Sequence, residues 1–137
     1  MPISLLNPAS LPPPSGFSHG VLADGGRWLF LAGQTGTDDS GAIAAPKDLV
    51  AQFAAALANL QVVVTEAGGR MTDVVKLTIY VTDKAAYRAS LAPLGAAYRQ
   101  VFGRYYPAMT LVEVKSLFDD RALVEIEGLA VLAGSTP

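Results

Sequence analysis

Apolar and polar positions along the chain recur in two rhythms, one of period two and one of period three to four, and these set out the elements. Val21 to Ala32 reads as strand, turn, strand: Asp24-Gly25-Gly26 is a hairpin signal, and Trp28, Leu29, Phe30 and Leu31 make a buried-looking second strand. Gly33 to Gly41 has the composition of a loop. Asp48 to Glu66 is a helix, because Leu49, Phe53, Ala56, Leu57, Leu60 and Val64 fall on one stripe and Gly68-Gly69 ends it. Val74 to Thr82 alternates as a strand, with Val75, Leu77, Ile79 and Val81 on one face and Lys76, Thr78 and Tyr80 on the other. Lys84 to Phe102 is a second helix with Tyr87, Leu91, Leu94, Tyr98 and Phe102 in register, and Pro93 and Gly95 predict a kink or restart there. Closing strands over 109–115 and 122–132 meet at a Phe118-Asp119-Asp120 turn.

The order ββαβαββ predicts an α+β domain, two helices on one mixed sheet, spanning residues 1–137 as a single unit. Residues 1–16 carry Pro2, Pro8, Pro12, Pro13 and Pro14 and read as an extended N-terminal arm. Two helices cover only one face of the sheet. On the last strand Leu123, Glu125, Glu127, Leu129 and Val131 point away from Val124, Ile126 and Ala130. That far face mixes carboxylates with Leu and Val and is too apolar to stand fully solvated. A cyclic oligomer with its sites between subunits is the expected use of it.

Composition narrows the chemistry. The chain is 51% hydrophobic and 16% charged, with a mean hydropathy of +0.36, too apolar for disorder. A net charge of -2 and a pI near 5.2, with no Lys/Arg cluster, argue against nucleic acid as a partner. There is no cysteine, hence no disulfide, thiol nucleophile or thiolate metal site, and the single histidine, His19, does not make a metal centre. The N-terminal segment lacks a basic start and is broken by prolines, and apolar stretches are interrupted before 18 residues, so neither a signal peptide nor a membrane span is expected. A cytoplasmic protein is the default.

Certain motifs then add up. Asn7-Pro8, G-F-S-H-G-V at 16–21, A-G-Q at 32–34, Gly41, Gln52, Leu57, Asn59 and Leu60 occur in order. A-G-G at 67–69, Val74-Val75-Lys76, Val81-Thr82-Asp83, Tyr98 and Phe102 follow, then P-A-M-T-L-V-E-V at 107–114 and V-E-I-E-G-L-A-V at 124–131. In order and spacing the chain resembles the Rid/YjgF family of reactive-intermediate (enamine/imine) deaminases over nearly its whole length. The resemblance implies a chorismate-mutase-like fold, a homotrimer with a central barrel of sheets and three clefts between subunits, and no cofactor or metal. It implies hydrolysis of 2-enamine or 2-imine acids to 2-keto acids and ammonia.

The departures from the family pattern fall in the site. The arginine of the family's P-A-R-[ST], which clamps the substrate carboxylate, is Met109 here. The Tyr of G-x-Y-S is Phe17, the Ser of S-G-Q is Ala32, and the small residue two after the arginine is Leu111. Glu125, the water-positioning glutamate, is kept, and the resemblance makes the backbone at Gly33-Gln34 an oxyanion-type donor. Losing the arginine costs about 2–5 kcal/mol in binding where the partner charge would be buried unpaired. Weak or absent turnover of ordinary 2-imino acids is therefore expected.

The candidate site is Glu125 as catalytic group, with Phe17, His19, Ala32, Gly33, Met109 and Leu111 as the substrate-binding wall. His19 has a ring whose ordinary pKa suits acid/base work, and it lies two residues from Phe17. Each residue has a plainer reading. Met109, Leu111 and Phe17 fit core packing, and Glu125, Glu127 and Glu113 fit an interstrand ion-pair ladder with Lys115. Arg104, before Tyr105 and Tyr106, is a candidate replacement cation. The first functional reading is a hydrolase or proton-transfer enzyme acting on a small enamine, imine or related carbonyl compound, less acidic or bulkier and more apolar than 2-aminoacrylate. The second is a non-catalytic trimer that binds a small molecule. A third, RNA binding or endoribonuclease activity, is opposed by the acidic charge balance.

Overall fold

The structure is a computed structural model and describes residues 3–134. Its order is β1 (Ile3–Leu6), β2 (Gly20–Ala23), β3 (Arg27–Gln34), α1 (Leu49–Glu66), a 3-10 turn (Met71–Asp73), β4 (Val74–Val81), α2 (Lys84–Ala89), α3 (Leu91–Phe102), β5 (Ala108–Glu113) and β6 (Val124–Leu132). Four strands form the main sheet in the order β3-β6-β4-β5. β4 and β5 run parallel, joined by the α2–α3 crossover, and the other pairs are antiparallel. This is the expected α+β layering on a mixed sheet.

Local chemistry explains the helix ends. Asp48 accepts a hydrogen bond from the Ala51 N–H at 3.0 Å and opens α1. At the other end the Gly68 and Gly69 N–H groups donate to the Thr65 and Val64 carbonyls, with Gly68 at φ 85°, a Schellman stop. The second predicted helix is two. Pro93 has no N–H, and its ring would strike the carbonyl four residues back, at Ala89. The chain therefore ends α2 at Ala89, turns at Ser90 and restarts, leaving Pro93 in the tolerant first turn of α3.

Three further expectations are corrected. The extended N-terminal arm takes the place of a hairpin partner: β1 pairs antiparallel with β2, Ile3 opposite Ala23 and Leu6 opposite Gly20, so β2 does not form the predicted hairpin with β3. Gly33-Gln34 is not loop; it ends β3, where the pairing slips by one residue between Leu31 and Gln34, a β-bulge at Ala32-Gly33. A second bulge makes Val75 the extra residue of β4, so Val74 joins the main core cluster while Val75, also buried, stands outside it.

The core lies between the helices and one sheet face. Phe53, Leu57, Leu60 and Val64 of α1 and Leu94, Tyr98 and Phe102 of α3 pack on Leu77, Ile79, Val81, Val124 and Ile126. By composition α1 would pass for a membrane span, but its apolar stripe is this core. The opposite sheet face has no cover among the described residues. Trp28 and Phe30 stand 64% and 73% exposed there, with Phe30 opposite Leu129, and Tyr80, Glu125 and Glu127 continue the face. The expected ion-pair ladder is absent because β4 separates β5 from β6. Instead, the Glu113 carboxylate accepts from the Lys84 N–H at the start of α2.

Candidate functional site

An open cleft of about 570 Å³ lies where the free edge of β5 meets α3. The segment before β2 closes one side. Ser18 bridges in parallel to Ala108, its N–H donating to the Pro107 carbonyl at 3.0 Å and its hydroxyl to the Tyr106 carbonyl at 2.6 Å. The positive φ of Gly16 (75°) turns the chain so that Phe17 reaches the cleft wall. Met109 and Leu111 enter from β5. They are in register with Leu77 and Ile79, so they share the helix-side face and are half-buried against the core.

Aromatic stacking sets the cleft floor. The Tyr98 ring lies between Phe102 and Tyr106, centroids 4.5 and 5.2 Å away and planes nearly parallel, and its hydroxyl donates to the Tyr105 carbonyl. Tyr105 in turn donates to the Val74 carbonyl. Burial pushes the Tyr98 phenol far up and that of Tyr105 up to about 12, with Tyr87 raised for the same reason. The Tyr98 and Tyr105 phenols thus stay protonated as hydrogen-bond donors to backbone carbonyls.

Ala32, Gly33 and Glu125 form a second group. Gly33 stands against the Glu125 side chain so closely that an added Cβ would overlap the carboxylate. Glu125 is in register with Tyr80 and thus lies on the uncovered face. Loss of hydration there, then the neighbouring Glu127 and Glu125, raise the Tyr80 pKa. The predicted residues therefore divide: Phe17, Met109 and Leu111 meet on the helix side, whereas Gly33 meets Glu125, which lies on the far side of the sheet, and Ala32 adjoins Gly33 in the bulge.

His19 belongs to neither wall. Its ring packs edge-on against Phe17 at 5.2 Å, with Nε2 within 2.8 Å of the Pro12 carbonyl, and its N–H donates to Asn7. It fixes the arm behind Phe17. Arg104 is exposed in the turn after α3 and does not line the cleft. The cation that does is Arg99, which sequence reasoning missed. Its one signal was the glycine at Gly95, four residues earlier on the same helix face, whose missing side chain leaves room for a guanidinium. Among the described residues no group of three metal-ligating side chains is found.

Comparison with known proteins bears on the family and the fold. The family model "Endoribonuclease L-PSP" matches residues 8–132. A RutC family protein of Pyrococcus horikoshii is 33% identical, with 87% of this chain and 90% of that protein covered. A 2-iminobutanoate/2-iminopropanoate deaminase of Capra hircus is 32% identical, with 90% and 83% covered. Among solved structures, a Yersinia pestis protein of unknown function from the conserved Rid family superposes with a TM-score of 0.87 at 36% identity, covering 96% of this chain and all of that one.

Proposed function

The chain belongs to the Rid/YjgF (L-PSP) family, and from that premise we propose that it hydrolyses a small enamine, imine or related carbonyl compound in a cleft completed by a second subunit. In this reading the Phe17–Met109–Leu111 wall of one subunit faces the Ala32–Gly33–Glu125 group of its neighbour in a homotrimer. The uncovered sheet face, carrying Trp28, Phe30 and Leu129, is what the trimer buries. No nucleic acid, membrane, metal or cofactor takes part, and the setting is cytoplasmic.

The chemistry asked of Glu125 is simple. A water molecule adds to the imine carbon and forms the C–O bond while Glu125 accepts its proton. That proton passes to the nitrogen and leaves a carbinolamine; Glu125 then carries the hydroxyl proton to the same nitrogen, the C=O bond forms as the C–N bond breaks, and ammonia departs from a carbonyl product. The out-of-register backbone at Ala32-Gly33 supports donors beside the reacting carbon. His19 steadies Phe17. Met109, in place of a clamping arginine, makes the standard short 2-imino acids poor substrates.

The observation that carries this reading is Glu125 packed against Gly33 on a face no helix covers. The test is release of 2-keto acid from 2-aminoacrylate and 2-iminobutanoate, made in situ by a dehydratase with semicarbazide trapping the untreated fraction. Wild type is expected to be slow, Met109→Arg at least about tenfold faster through a charge-assisted carboxylate contact, and Glu125→Gln inert in either background. Equal rates with and without Glu125 would refute it. The second reading, a binder without turnover, draws on Met109 and Phe17, which remove the clamp and the hydroxyl. Its signature is ligand binding that Glu125→Gln leaves untouched.

A further inference from the structure

We infer that Arg99 is the anion-binding group of the cleft and that its ligand is an amphipathic carboxylate, a 2-oxo or 2-imino acid with a bulky apolar side chain. The inference rests on the reading above that this cleft is the ligand site. Among the residues lining the cleft, Arg99 is the single charged one. Its side chain makes no ion pair or hydrogen bond among the described residues, where the one salt bridge joins Arg121 to Asp119. The guanidinium therefore keeps its donors for a ligand.

The helix is shaped for this position. Arg99 is an exposed residue, and its Nη1 lies 3.1 Å from where a Cβ on Gly95 would stand, so the guanidinium folds back along α3 over the glycine while staying open to solvent. An added Cβ there would shift Nη1 slightly, and a long side chain would crowd it. Beyond it the wall is Phe17, Leu91, Met109 and Leu111, with no acidic side chain to compete. The apolar side chains of Phe17, Leu91, Met109 and Leu111 suit an aryl or branched alkyl group set against Met109. A carboxylate on Arg99 with its hydrocarbon toward Met109 and Leu111 satisfies both ends. The cation of the cleft stands on the helix, and the strand opposite presents apolar Met109 and Leu111.

The test titrates the full-length protein with phenylpyruvate, followed by calorimetry or ligand-observed NMR. Phenylacetone, its counterpart lacking the carboxylate, and 2-oxobutanoate, its short counterpart, are run beside it. Phenylpyruvate should bind wild type best, Arg99→Gln should weaken it about tenfold, and Arg99→Lys should recover part of the loss. Phenylacetone should bind weakly and equally to wild type and Arg99→Gln. Gly95→Leu, which crowds the guanidinium, should reproduce the loss. The inference is overturned if Arg99→Gln binds phenylpyruvate as wild type does, if phenylacetone binds as tightly, or if phenylpyruvate shows no saturable binding at millimolar concentration. Its failure is separable from that of the hydrolase. Glu125-dependent turnover with Arg99-independent binding leaves the hydrolase standing, and the reverse pattern leaves an acid-binding protein.

Discussion

Gly33→Ala isolates the placement of one carboxylate. An added Cβ would stand 2.8 Å from Glu125 Cδ and 3.0 Å from Cγ, and nearer still to Oε2. Carbons meet comfortably at about 3.5 Å, so the carboxyl end must withdraw by roughly an ångström. The atoms in the way belong to the end of a flexible side chain, and moving them off a preferred rotamer costs about 0.5–1.5 kcal/mol. Gly33 is not among the glycines of positive φ, so alanine fits the backbone. It stabilises through the unfolded chain by about 0.4–1 kcal/mol. The two effects nearly cancel, and stability should stay within about 1 kcal/mol of wild type. Turnover should not: a misplacement of that size is worth about a hundredfold in rate. The assay pairs urea unfolding at fixed protein concentration with turnover in the dehydratase-coupled reaction, using whichever of wild type or Met109→Arg is faster. Adding Gly33→Ala to Glu125→Gln should cost nothing more, since both act through one group. A Gly33→Ala protein that keeps its rate within about threefold would refute the positioning argument. So would one that loses rate and several kcal/mol together.

Gly36→Ala is the contrasting case: its Cβ would meet Gln52 Cα at 2.7 Å and the Gln52 carbonyl at 2.8 Å, helix backbone that cannot rotate away. A loss of about 1–3 kcal/mol is expected in thermal or urea unfolding. Gln52 is fully buried; its amide donates to the Ala45 and Arg121 carbonyls and its oxygen accepts from the Leu123 N–H. Gln52→Leu fills the same space and should destabilise by about 3 kcal/mol, one increment per lost bond, whereas an unchanged urea midpoint would show those groups find other partners. Tyr105, held protonated in the fold up to about 12 against an ordinary 10.0, contributes stability that is full below pH 10 and lost as pH rises through the folded value. Absorbance at 295 nm should therefore show it ionising together with alkaline unfolding, and Tyr105→Phe should move that transition upward.

The chain's own rhythms were enough for the elements that bury a continuous stripe. Phe53, Leu57, Leu60 and Val64 recur at helical spacing and Leu77, Ile79 and Val81 at strand spacing, because each set must face one core. The uncovered sheet face was legible for the same reason, since Glu125 and Leu129 alternate with Val124 and Ile126. Elements that answer to a partner elsewhere were not. β1 is a strand because β2 lies beside it, and Val75 falls outside the main core cluster because β6 offers one residue fewer. Neither condition exists within a short window of sequence.

The site divides along the same line. Motif order singled out Phe17, Met109, Leu111, Gly33 and Glu125, and the structure puts each next to another member of that set. Which members share a wall was decided by strand parity: Met109 follows Leu77 to the helix side, while Glu125 follows Tyr80 to the other. A strand sends neighbours to opposite faces, but only register with the next strand says which face is which. Arg99 shows the limit most plainly. A lone arginine on an exposed helix turn carries no pattern, and it becomes a site residue only because α3 packs over the β5 edge with Gly95 beneath the guanidinium. Local sequence determines what a segment prefers to be. Only the packing of distant segments determines what its side chains face.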